Sequence, residues 1–384
     1  MSSERRPNLL IFRIGSLGDT VVALPCFHAI ARAFPGHRKV LLTDSINSAR
    51  ASAVEIVLDG TGFIDEAIYF SAEHGKLNRF VVIARRLREL APELLVYLTP
   101  RTRALQVYRD LLFFRMAGIP RVIGAPLGIG SRECRTDPTT GQLEYEAERL
   151  ARTLGSAIPV DLAPASWDLR LAPKDFSTAK GRMSGLPRQP VVALSPGARI
   201  AAKDWGEERW GALIRLLEVR IPDISLVFFG SQDERPLASR LAQLWTGTKL
   251  NLCGELTPRE TAAGLDRCDL LVCHDSGPMH LAASRGTRCV ALFGNYNLPR
   301  QWFPYGPDHV VIHEPHGVQH ISVERVADSV EAAVRALRKP GACLSIATSC
   351  AVTSREMQQR KQRSGDVEPT VPVVADDEHR HYGD

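Results

Sequence analysis

The sequence predicts an α/β protein built on two doubly wound parallel sheets, and three observations predict it. Short aliphatic runs recur through both halves of the 384-residue chain. They are apolar throughout rather than alternating, as expected of parallel strands covered by helices on both faces. Each is followed by a stretch with helical periodicity, and alternation of strand and helix builds doubly wound sheets. The runs begin at Asn8, Lys39, Leu94, Val191, Ser225, Leu270 and Cys289. Helical stretches fall at Val21 to Phe34, Glu208 to Val219, Arg235 to Trp245, Pro258 to Leu265 and Pro278 to Ser284. Within the second of these, Trp210, Leu213, Ile214 and Leu217 recur at three- and four-residue spacing, which makes one apolar face.

Composition bounds the partners. The chain is 44% hydrophobic and 24% charged, with 48 Lys and Arg against 43 Asp and Glu. A net charge of +5 lacks the excess of a dedicated nucleic-acid binder, yet suits an anionic small substrate or an anionic membrane surface. Leu9 to Phe12 is too short for a signal-peptide core, and no later run reaches eighteen apolar residues. A cytoplasmic protein is expected, meeting the inner face of an inner membrane peripherally through basic residues of its N-terminal half. The eight cysteines form no Cys-x-x-Cys pair, so they read as reduced and structural, without a zinc site.

Prolines accumulate at 159, 164, 173, 187 and 190, marking the connection between two domains. The expected division is 8–165, a connection 166–190, a second domain 191–321, and a last helix 322–338. Residues 342–384 have few large apolar side chains and read as a disordered tail.

Four loops at strand ends carry the polar chemistry. Arg13-Ile-Gly-Ser-Leu-Gly-Asp19 places Gly15, Gly18 and Asp19 at the start of a helix, where an open α/β sheet binds ligands. It has neither the G-x-G-x-x-G spacing of a dinucleotide site nor the Lys of a Walker loop. Asp19 is either a helix cap or a functional carboxylate. Ser195-Pro-Gly-Ala-Arg-Ile-Ala-Ala-Lys203 puts Ser195, Gly197, Arg199 and Lys203 on a loop whose N–H groups and cations suit a diphosphate. Asp275-Ser-Gly-Pro-Met-His280 is a tight turn into a helix, an anion site bordered by Asp275 and His280, although His280 also reads as a core histidine. Glu234, four residues after Gly230, can receive ribose hydroxyls or cap the next helix. There is no Asp-x-Asp metal-diphosphate signature, which points to cations and helix ends instead of a metal.

Taken in order, Arg13 to Asp19 with Leu24-Pro25, Ser195-Pro-Gly-Ala with Lys203-x-Trp205, Asp275-Ser-Gly-Pro-Met-His280 with Ala282-Ala283, and Leu292-Phe-Gly294 resemble glycosyltransferase family 9, the lipopolysaccharide heptosyltransferases. The resemblance covers about residues 8 to 338. It implies the GT-B architecture, two Rossmann-like domains facing a central cleft, with the acceptor side N-terminal, the nucleotide-sugar side C-terminal and the final helix crossing back to the first domain. It implies an inverting, metal-independent transfer of a sugar, heptose from ADP-heptose, to a lipopolysaccharide core or related glycan, with no cofactor beyond the nucleotide sugar. Asp19 would then be the general base and Lys203 the cation at the departing diphosphate. Ser195, Gly197, Arg199, Glu234, Asp275, Ser276, Gly277 and His280 would bind the donor, and Gly18 and Arg101 the acceptor. Arg85, Arg86, Arg88 and Arg103 are further candidates for acceptor phosphates, or a solvated face. The Ser195-Pro-Gly-Ala version is closer to the second-heptose and general branch than to the first-heptose branch. Alternatives are another nucleotide sugar, a protein or secondary-metabolite acceptor, or a non-catalytic nucleotide-sugar-binding module that keeps Lys203 without needing Asp19.

Overall fold

The computed structural model describes residues 6–44, 54–70, 76–100, 103–155, 157–187 and 189–337. The residues expected to form a tail, and Arg101, lie outside this set. Among the described residues, eleven strands fall in chain order: β1 (Asn8–Phe12), β2 (Arg38–Asp44), β3 (Glu66–Phe70), β4 (Leu94–Tyr97), β5 (Val122–Ile123), β6 (Val191–Ser195), β7 (Ser225–Phe228), β8 (Lys249–Asn251), β9 (Leu270–His274), β10 (Arg288–Phe293) and β11 (Val310–His313). The helices are α1 (Leu17–Val22), α2 (Leu24–Ala33), α3 (Val54–Leu58), α4 (Lys76–Leu90), α5 (Ala104–Met116), α6 (Ile129–Arg132), α7 (Glu146–Leu154), α8 (Pro173–Arg182), α9 (Glu207–Arg220), α10 (Arg235–Ala242), α11 (Pro258–Leu265), α12 (Gly277–Ser284) and α13 (Val323–Leu337).

The strands form two wholly parallel sheets, in the order β3-β2-β1-β4-β5 and β11-β10-β9-β6-β7-β8. Central strands are buried along their length because both faces are covered: β4, β6 and β9 have every residue buried. Strand order reverses between β1 and β4 in the first sheet and between β6 and β9 in the second. At such a reversal the two adjoining crossovers leave in opposite directions, opening a crevice at the carboxyl ends of the strands. The loops carrying Asp19, Lys203 and Asp275 follow β1, β6 and β9, so chain topology brings them to these crevices.

Alternate strand residues feed different cores. Leu10 and Phe12 pack with Leu87, Tyr97 and Phe114 on one face of the first sheet. Val192 and Leu194 pack with Leu213, Leu217 and Leu241 on one face of the second. The remaining faces share one cluster, in which Leu9 and Ile11 are continuous with Ala193, Leu271, Cys273 and Met279. The Arg259 guanidinium of α11 ties the halves further: it donates to the carbonyls of Val57, Leu169 and Arg170 at 3.0, 3.1 and 2.8 Å and pairs with Asp175 at 3.2 Å.

The proline-rich connection holds a 3-10 turn at Pro164–Trp167 and then α8, which packs on α11. One expectation needs revision. The last helix packs against α9, β9 and β10, with Val326, Val330 and Val334 in the core of the second sheet, rather than against the first domain. Its amphipathic pattern specified a buried face, and α9 supplies the complementary one, reinforced by Arg220 pairing with Asp328 at 2.6 Å.

Candidate active site

The first loop is shaped by local bonds. Ser16 caps α1, and Asp19, three residues on, returns the bond: Oδ2 accepts from the Ser16 amide at 2.7 Å and the Ser16 hydroxyl at 2.6 Å. The cap reading of Asp19 therefore holds, and it uses one carboxylate oxygen. Oδ1 lies 3.9 Å from the Arg13 guanidinium, which is fully buried beneath the loop. Arg13 donates to the carbonyls of Leu98, at 2.6 Å, and Asp19. Burial pushes its pKa down, opposed by the carboxylates of Asp19 and Glu146. Glu146 belongs to a second buried pair, accepting from Arg149 Nε at 2.8 Å. In the sequence Arg13 stands only as a motif letter, and Glu146 and Arg149, three residues apart on α7, have no role, because only the fold brings that pair near Arg13.

The second loop is held from a distance. Ser195 ends β6 and is buried, whereas Arg199 is exposed. Gly197 sits against Glu234, where an added methyl group would clash with the Glu234 carboxylate. Glu234 Oε2 accepts from the Ser231 amide at 2.6 Å, so this carboxylate caps its own turn while bordering the Gly197 backbone. His274, at the end of β9, spans the loop: Nε2 accepts from the Trp205 amide at 3.0 Å, and Nδ1 faces the Gly197 carbonyl at 3.4 Å. Accepting at Nε2 places the ring proton on Nδ1. Complete burial pushes the His274 pKa down to about 4, so the ring is neutral at pH 7. His274 has no role in the sequence reading and is recognisable as a positioning residue only once β6 and β9 are adjacent.

Lys203 Nζ pairs with Asp275 Oδ2 at 2.7 Å and lies 4.8 Å from the Tyr296 ring centroid. Asn297 also donates to Asp275. Asp275 thus orients the cation, since a carboxylate offers an anionic ligand no donor of its own. Ser276 is the N-cap of α12, and its side chain makes no capping bond, so first-turn N–H groups point out of the helix end.

These two loops meet. The first turns of α1 and α12 are in contact: a methyl group at Gly277 would lie 2.5 Å from Leu17 Cδ2, and one at Gly18 would lie 2.8 Å from His280 Cδ2. Gly18 is therefore a close-approach position, buried under the His280 ring. Burial pushes His280 down to about 4 and keeps it neutral. Of the residues singled out in the sequence, Asp19, Gly18, Lys203, Asp275, Ser276, Gly277 and His280 line this junction, with Ser195, Gly197 and Glu234 one loop away. Among the described residues, no group of three or more His, Cys, Asp and Glu is placed to hold a metal ion.

Two parallel doubly wound sheets whose reversal-point loops face each other are the GT-B architecture. Solved structures of this fold include the glycosyl transferase family 9 protein from Veillonella parvula, with a TM-score of 0.63 and 19% identity, over 88% of this chain and 100% of that one. Another is the ADP-heptose lipopolysaccharide heptosyltransferase II of Escherichia coli, with a TM-score of 0.61 and 18% identity, over 86% and 100%. Residues 141–328 match the family model of glycosyltransferase family 9 (heptosyltransferase). The lipopolysaccharide core heptosyltransferase OpsX of Haemophilus influenzae is 27% identical over 150 residues, 38% of this chain and 42% of that protein. The lipooligosaccharide heptosyltransferase 2 of Campylobacter jejuni is 32% identical over 108 residues, 27% of this chain and 33% of that protein. The chain thus spans less than half the length of these curated relatives.

Proposed function

We propose that this chain is an inverting glycosyltransferase of the heptosyltransferase type, moving heptose from ADP-heptose to a lipopolysaccharide core or related glycan. The observation that carries the reading is the contact between the starts of α1 and α12, because it sets a carboxylate opposite a positive helix end and a cation. Asp19 would use its second oxygen, Oδ1, to take the acceptor hydroxyl proton. The acceptor oxygen then bonds to the anomeric carbon as the bond to the diphosphate breaks, and the diphosphate leaves with its electrons. A carboxylate is basic enough, because the hydroxyl becomes acidic only as positive charge develops at the sugar. The departing charge would be met by Lys203 and the first N–H groups of α12, preorganised donors of the kind that stabilise developing anions. Donor entry would require Lys203 to share its charge between Asp275 and phosphate.

Calorimetric titration with ADP, UDP, GDP and ADP-heptose, with chelator and then with magnesium, tests the reading. Metal-independent preference for ADP, weakened in Lys203→Ala, is the expected result. Preference for UDP or GDP would move the donor, and absence of binding by all four would remove the reading.

A further inference from the structure

We propose that the outward face of α5, with the adjoining part of α4, docks this chain on an anionic lipid bilayer. On α5, Leu105, Tyr108, Leu112 and Met116 recur at three- and four-residue spacing and form one stripe. That stripe faces solvent: Leu105 is 81% and Leu112 61% exposed, and Tyr108 and Met116 are each more than half exposed. The opposite face of α5 supplies the core residues Val107 and Phe114. At 100° per residue, Arg109 and Arg115 border the stripe on its two sides, and both are exposed. Helix α4 extends the surface with Val81, 67% exposed, and with Arg85 and Arg88 on the same face. The two helices are fixed together by Arg88 donating to the Met116 carbonyl at 3.0 Å and by the Phe80 and Phe113 rings at 5.5 Å.

Charge selects the occupant. Residues 76–121 hold ten Lys and Arg against three Asp and Glu, a net charge of +7 in a chain whose total is +5, so the remainder is slightly acidic. An apolar stripe bordered by arginines, on a helix lying flat on the surface, matches the boundary between acyl chains and anionic headgroups. A second copy would bring two such positive faces together, which like-charge repulsion opposes. Helix α5 also begins just after the carboxyl end of β4, beside β1 and its Asp19 loop, where Thr99 accepts from the Ile14 amide at 3.1 Å. Docking through α5 would hold that loop near the lipid surface.

Vesicle flotation of the full chain tests this, using phosphatidylcholine with and without phosphatidylglycerol at low and high salt. Binding to the anionic vesicles is expected, falling with salt, and reduced at least about tenfold in Leu105→Asp/Leu112→Asp. Arg109→Ala/Arg115→Ala should lose about fivefold per arginine. ADP titration of the same variants should match the parent chain, which shows the fold intact and separates this surface from the donor site. The proposal is overturned if the parent chain does not float. It is equally overturned if both variants float like the parent, or if the parent is a vesicle-independent dimer that Leu105→Asp/Leu112→Asp dissociates.

Discussion

The loop after β1 and the loop after β6 are held in opposite ways. In the first, the bonds that fix Asp19 run three residues, from the Ser16 amide and hydroxyl, and leave Oδ1 without a contact closer than the 3.9 Å to Arg13 among those described. In the second, Lys203 is fixed by Asp275, seventy-two residues on, and the loop backbone by His274. A carboxylate set by its own helix cap is positioned before any ligand arrives. A cation already paired must share its charge when an anion arrives. On this account the first loop is preorganised and the second responds to ligand.

The largest test of that contrast is Asp19→Asn. The amide keeps a carbonyl oxygen for the cap but loses the basic oxygen, so kcat should fall about 10²–10⁴-fold with little change in KM. Steady-state transfer assays decide, and full activity would break the comparison. Next is pH. His274 and His280 both have pKa values near 4 in the folded chain, against about 6.5 when unfolded. The unfolded state therefore binds more protons between those values. The two histidines contribute stability that is complete above pH 6.5 and is lost as pH falls towards 4, with a slope approaching about 3 kcal/mol per pH unit. Urea unfolding across that range checks it, and a flat profile would show that neither ring is held neutral.

A smaller effect is expected where the halves touch. Gly18→Ala places a methyl group 2.8 Å from the His280 ring. It should cost about 1–3 kcal/mol. Gly36→Ala, with no atom within 4 Å of its new methyl group, should stay within about 0.5 kcal/mol. Thermal unfolding of the pair separates close approach from a general glycine effect. The smallest change is expected of Glu234→Gln, whose amide can still accept from Ser231. Donor affinity should fall less than about fivefold if the contribution is one neutral-for-charged hydrogen bond, measured by ADP titration.

The same contrast explains what the sequence made legible. Asp19 with Ser16, the apolar strands β1, β4, β6 and β9, and the turn before α12 are local patterns, readable from consecutive residues. Strands β3, β5, β8 and β11 sit at or near sheet edges and, where burial is described, lack the continuous apolar run that identifies a central strand. His274 and the Lys203–Asp275 pair depend on β6 lying beside β9, which no local pattern states. The destination of α13 was likewise hidden, because an amphipathic helix announces a buried face and not its partner. The solvent-facing stripe of α5 is the converse case: the spacing is visible in sequence, and only the structure shows that the stripe points outward.

The most direct test of the preorganised-and-responsive account is ADP titration into the parent chain, Asp19→Asn and Lys203→Ala under one condition. Loss of a charge-assisted contact in Lys203→Ala should weaken ADP by about tenfold or more, whereas Asp19→Asn should bind within about twofold of the parent. Weakened binding in Asp19→Asn with parent-like binding in Lys203→Ala would contradict it.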